Sequence, residues 1–157
     1  MPPPDRPHET EKERLDRNFQ ELLGGLRVAL PGIQVMFAFL LLLPFQRGFD
    51  DVTAFQERVY FVALAATALS SVLLIAGPVR HRILFRRDAK YYVVFSASRL
   101  AIIGLTLLGV AICAVMLLVS DYLFDALTAG LTTGTLAAVI IGTWFAAPLA
   151  RRRSYDG

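Results

Sequence analysis

No charged side chain interrupts any of four long apolar runs in this chain, at residues 28–45, 59–79, 100–120 and 126–150. Pumps and ion-coupled transporters usually hold Asp, Glu, His, Lys or Arg at membrane depth, because the translocated charge needs a partner there. That absence argues against proton-coupled exchange. Histidine is scarce as well. His8 and His81 are the only two, in unrelated polar segments, so no metal-ligand set is expected. The single cysteine, Cys113, falls inside the third run, which excludes an intrachain disulfide and reads as a buried thiol. The sequence has no Gly-rich phosphate loop, no HExxH and no nucleophile elbow. Ser70, Ser71, Ser96 and Ser98 have no histidine or lysine at depth to activate them. A non-enzymatic protein with no cofactor is expected.

What the chain does have is hydrocarbon. Apolar residues make up 55% of its 157 positions, and mean hydropathy is +0.54. A helix crosses a ~30 Å hydrocarbon core in about 20 residues, with a working range of about 17–25, and each run meets that length. The predicted fold is all-α, a four-transmembrane-helix bundle with an N-terminal cytoplasmic amphipathic helix. Residues 1–9, with Pro2, Pro3 and Pro4, are expected to be a disordered tail. Residues 10–26 form the amphipathic helix, 27–150 the membrane domain, and 151–157 a basic tail. The Thr10-Glu11-Lys12-Glu13 capping box starts that helix, and Leu15, Phe19, Leu22, Leu23, Leu26 and Leu30 give it one apolar stripe. Gly24-Gly25 should loosen or break it, and Pro31 should open the first turn of the span that follows. The first run should act as a signal anchor.

Orientation follows from the arginines. Fourteen of the sixteen Lys and Arg precede the first run, connect the second to the third, or follow the fourth. Only Arg47 and Arg58 lie on the other side. Basic residues are retained in the cytoplasm, so both termini and the middle loop should be cytoplasmic. The basic pI reports topology, and no nucleic-acid partner is expected. Arg80, Arg82, Arg86, Arg87 and Lys90 form a juxtamembrane cluster that either fixes topology alone or contacts anionic headgroups of the lipid bilayer or a partner. Asp50, Asp51, Glu57, Asp121 and Asp125 give the opposite face an acidic, solvated character. Phe45, Phe49, Phe55, Tyr60, Tyr122 and Phe124 should form the aromatic belt on that face.

Two features of the spans suggest how they pack. Gln34 is the only amide within any run, and facing lipid it would be costly, so it should be buried against another helix. Ala126, Gly130, Gly134, Ala138, Gly142, Ala146 and Ala150 recur every fourth residue along the last run. Such a row makes a groove into which another helix backbone fits closely, either from this chain or from a second one. Thr128, Thr132, Thr135 and Thr143 can satisfy their hydroxyls on carbonyls one turn earlier. The segments RVALPGI (27–33) and RLAIIGL (99–105) share Arg, Ala and Gly in register, which reads as coincidence rather than duplication.

The stretches LRVALPGIQVMFAFLLLLPF (26–45), FQERVYF (55–61) and HRILFRR (81–87) resemble a family of small four-span membrane proteins from actinobacteria of unknown function. The resemblance covers about residues 15–150 and implies a four-helix membrane fold in a bacterial inner membrane. Similar chains sometimes carry a sodium/proton-antiporter label, for which this chain has no acidic residue at membrane depth. The resemblance transfers no catalytic or binding residue. The sequence points to a scaffold or accessory subunit, partnered by a larger membrane protein or by copies of itself. The alternative is a small oligomeric transporter or channel whose pore would be lined by Gln34, serines and threonines.

Overall fold

The computed structural model describes residues 11–84, 90–147 and 150. They form α1 (Glu11–Leu42), α2 (Ala54–Leu84), α3 (Lys90–Leu123) and α4 (Ala126–Ile141), with no strand among the described residues. Two 3-10 turns, Leu43–Phe45 and Arg47–Phe49, join α1 to α2, and a π-helical turn, Gly142–Ala146, extends α4. All four helices are long and apolar enough to cross a bilayer, over Leu23–Phe45, Ala54–Arg80, Ala97–Leu123 and Ala126–Ala146. In hydrocarbon each unpaired backbone group costs several kcal/mol, so apolar runs of this length become helices. This is a multi-pass membrane protein.

The first helix differs from the sequence expectation. It passes unbroken through Gly24-Gly25, and Pro31 sits in its interior rather than in a first turn. Two glycines penalise a helix by about 1 kcal/mol each relative to alanine, less than breaking the backbone ladder near hydrocarbon. Pro31 removes the N–H that the Arg27 carbonyl would receive. Amphipathic segment and first span are therefore one helix. Its apolar stripe continues inward as Leu26, Ile33 and Leu40, all buried. The tail at 1–9, the residues at 151–157 and the side chains of Leu15, Phe19 and Leu22 lie outside the described residues.

The closest pairing is α2 with α3. Gln56, Tyr60, Ala63, Thr67, Ser70, Leu74 and Gly77 are all buried, at alternating spacings of four and three. Ala97, Ala101, Gly104, Ala111, Ala114 and Leu118 answer from α3. A mean spacing of 3.5 residues is the seam of a left-handed helix pair. Between spans there is no hydrophobic drive, because lipid is as apolar as leucine, so small residues and close contact supply the attraction. The seam is tightest at its middle. The Ser70 hydroxyl donates to the Gly104 carbonyl at 2.7 Å, and a Cβ on Gly104 would stand 2.9 Å from Leu74 Cγ.

Helix α1 lies across the groove between α2 and α3. Leu26, Ile33, Leu74 and Ala101 form one core cluster, and Leu40, Tyr60, Ala63, Ala114 and Leu118 form the other. Pro44 has no N–H to offer the Leu40 carbonyl in helical register. The Tyr60 hydroxyl donates to that carbonyl instead, at 3.0 Å. Phe49 packs edge-on against Tyr60 with ring centroids 5.1 Å apart. The expected aromatic belt is thus split: Phe45, Phe55, Tyr122 and Phe124 are exposed, whereas Phe49 and Tyr60 hold the turn to the core.

One substitution made at two glycines tests this packing. Gly104→Ala must displace Leu74 within a filled core and should destabilise by about 1–3 kcal/mol. Gly32→Ala meets nothing within 4 Å and should be neutral or stabilise by up to about 1 kcal/mol. Unfolding in mixed micelles measures both, and equal effects would contradict the seam. The two glycines that correspond in RVALPGI and RLAIIGL therefore sit in unlike surroundings.

Candidate functional site

Helix α4 packs against a single neighbour. It begins at Asp125, whose carboxylate caps the helix by accepting from the Thr128 N–H at 3.2 Å and from the Thr128 hydroxyl. Those two bonds, the hydroxyl's first, hold the Asp125 carboxyl below the usual carboxylate range. Among the described residues α4 touches only α3, and has no contact with α1 or α2. Ala129 is its one buried side chain. The Thr132 hydroxyl reaches the buried Ser120 hydroxyl of α3 at 3.1 Å, and Ile140 and Trp144 close over Gly109.

The small-residue row does not pack against α3. Gly130, Gly134 and Gly142 have nothing within 4 Å of where a Cβ would stand. Ala126, Ala138 and Ala146 are exposed beside them. No described helix of this chain occupies the groove, so the same-chain reading is corrected: α3 is approached through Ala129, Thr132 and Ile140 instead. Apart from the row, an open cavity of about 480 Å³ lies between α3 and α4, lined by Cys113, Leu117, Thr133, Ala137 and Ile141. The Thr133 hydroxyl is buried there without a hydrogen-bond partner among the described residues. Thr132, Thr135 and Thr143 bond back to the Thr128, Leu131 and Val139 carbonyls, which quenches hydroxyls that would otherwise face lipid unpaired.

A second correction concerns Gln34. It is exposed on α1, not buried, because the packing stripe of that helix runs through Leu26, Ile33 and Leu40 and leaves Gln34 outside it. Among the described residues the buried amide is Gln56, just outside the second apolar run. Its Oε1 accepts from the Thr53 N–H at 3.0 Å, while Thr53 Oγ1 accepts from the Gln56 N–H at 3.3 Å. This capping box was legible as Thr-x-x-Gln. Gln56 Nε2 then donates to Asp121 Oδ2 at 2.9 Å, tying the start of α2 to the end of α3.

Of the basic cluster, Arg80 is half-buried at the end of α2, and the side chains of Arg82, Arg86, Arg87 and Lys90 lie outside the described residues. Cys113 is a free, half-buried thiol. No group of three His, Cys, Asp or Glu residues able to hold a metal ion occurs among the described residues. What sequence reasoning missed is the seam of α2 and α3, whose alternating four-three spacing was present in the positions of Ala63, Thr67, Ser70, Leu74 and Gly77.

The cap gives a pH test. Because the folded carboxyl titrates below its unfolded value, its contribution is complete above the ordinary carboxylate range and is lost as pH falls through the lowered value. Hydrogen-exchange protection of the Thr128 amide should fall over that window. Asp125→Asn keeps a capping oxygen without the charge and should show no such fall.

Residues 8–148 match a family of unknown function (DUF6328), and the chain belongs to that family. No curated protein and no solved structure matches it.

Proposed function

We propose that this chain is a non-enzymatic membrane subunit, a scaffold or accessory component that assembles laterally through the open face of α4. The observation that carries this reading is the row of Gly130, Gly134 and Gly142 with nothing against it, on a helix that touches only α3. Such a face offers a second helix close backbone approach, a contact that lipid chains match poorly. The seating span belongs to a larger membrane protein or to another copy of the chain. The cluster at Arg80–Lys90 is assigned to the cytoplasmic side of a bacterial inner membrane, where it meets anionic headgroups. A small oligomeric channel is the second reading. It is favoured by the exposed Gln34, which an oligomer would enclose.

Gly134→Leu or Gly142→Leu should leave the melting temperature of the purified chain unchanged, since both sites face open space. Each should reduce recovery of the partner, or of the oligomer, several-fold in mild detergent. Val139→Leu, at a site that is also exposed but off the row, should change neither. A row that tolerates leucine with assembly intact would refute the proposal, and ion flux from reconstituted protein alone would favour the channel. A fluorescent reporter that matures only in the cytoplasm should light up at Gly157. A periplasmic phosphatase fusion active there would reverse the orientation.

A further inference from the structure

Gln34 is a polar group that the bundle leaves unmet. The first span runs over Leu23–Phe45, which puts Gln34 at its middle, about 16 Å from either end at 1.5 Å per residue. The side chain is exposed and makes no hydrogen bond among the described residues. An amide left facing hydrocarbon is costly, so a partner that bonds it is favoured over lipid.

The chemistry of the amide narrows what that partner is. A carboxamide holds two N–H donors and a carbonyl acceptor, so a full match must both accept and donate. The exposed hydroxyls within the apolar runs, on Thr106, Thr132, Thr135 and Thr143, have each given their proton to a carbonyl of their own helix and can only accept. The Thr133 hydroxyl is buried between α3 and α4. Gln34 is the only amide within any of the four runs. The group of this chain that answers both halves of Gln34 at membrane depth is therefore Gln34 of a second copy. A two-fold axis along the membrane normal brings the two to the same depth.

The surrounding face of α1 suits such a pair. Pro31, Gln34, Ala38, Leu41 and Phe45 are all exposed, and they alternate at spacings of three and four, the seam of a left-handed helix pair. At about 100° per residue this row lies roughly 120° around α1 from the buried line of Leu26, Ile33 and Leu40, clear of α2 and α3. Pro31 and Ala38, one turn to either side of Gln34, are short side chains that let two backbones approach closely.

We propose that α1 pairs with α1 of a second copy along this row, the two Gln34 carboxamides exchanging reciprocal N–H···O=C hydrogen bonds across the two-fold axis. The face is separate from the α4 row, and the dimer does not depend on the assembly proposed above. It assigns Gln34 to a closed pair rather than to the lining of a pore.

Sedimentation equilibrium in density-matched micelles measures the pairing. The wild-type chain should dimerise, and Gln34→Leu should weaken the dimer about fivefold or more, the worth of one interhelical amide contact, with helical content unchanged. Gln34→Asn, which keeps the carboxamide, should dimerise more tightly than Gln34→Leu. In a Cys113→Ala background, oxidation in membranes should cross-link Ala38→Cys, on the row, and not Phe39→Cys, exposed off the row. Adding Gly134→Leu should leave the Ala38→Cys cross-link intact even where it breaks the α4 contact, which separates the two readings. A monomeric wild-type chain, a Gln34→Leu variant that dimerises as tightly as wild type or as Gln34→Asn, or equal cross-linking of the two cysteine variants would each overturn the proposal.

Discussion

Close approach of α2 to α3 is the contact on which the rest of this bundle is arranged. In lipid no gain comes from removing apolar surface from water, so two helices stay together only as well as their atoms touch. Each atom pair contributes about 0.1–0.2 kcal/mol, and only a seam of small residues brings enough pairs within range. Ala63, Ser70 and Gly77 on one side and Ala101, Gly104 and Ala111 on the other provide it. The Ser70 bond to the Gly104 carbonyl adds a polar link where no water competes. The two core clusters then form around the hairpin, with α1 supplying Leu26, Ile33 and Leu40.

The same logic explains why α4 stands apart. Among the described helices it meets α3 alone, and its span, like that of α1, is 11% buried against 33% for the span of α2. A helix rich in glycine and threonine would gain little from facing lipid, yet Thr132 and Thr135 turn their hydroxyls back onto its own carbonyls and its glycines remain bare. Self-satisfied hydroxyls allow such a helix to exist in hydrocarbon, and a bare glycine row allows it to be recognised by another. The loop end of the bundle is built differently. There Gln56, Asp121, Tyr60 and Phe49 fix the turn between α1 and α2 against the end of α3. The bare glycine row of α4 and this loop end therefore lie on separate parts of the molecule.

Much of this was legible in the residues themselves. Four uncharged runs announce four spans, since hydrocarbon leaves a long apolar backbone no alternative to the helix. The back-bonded threonines are local features with a local signature, and Thr135 and Thr143 bond where their spacing placed them. The Gly24-Gly25 break failed for a physical reason. Propensity scales describe helices in water, whereas α1 is carried through by the continuity of its apolar stripe into the span. Gln34 failed differently. A rule that amides are buried within membranes cannot say which face of a helix a neighbour will take.

By itself the sequence determined what each stretch of chain becomes: the number of spans, their lengths, their caps, the side on which basic charge accumulates, and which helix faces are narrow enough for close contact. These follow from the chemistry of single residues and their near neighbours. Only the tertiary structure decided which narrow face is used. Rows of small residues occur on α2, α3 and α4 alike, and either spacing, four-three or four-four, supports close packing. Pairing α2 with α3 consumed the seams on both, and α3 had only a limited arc left for α4. The row on α4 is open because of where its neighbours settled, and that is a property of the assembled helices rather than of any one of them.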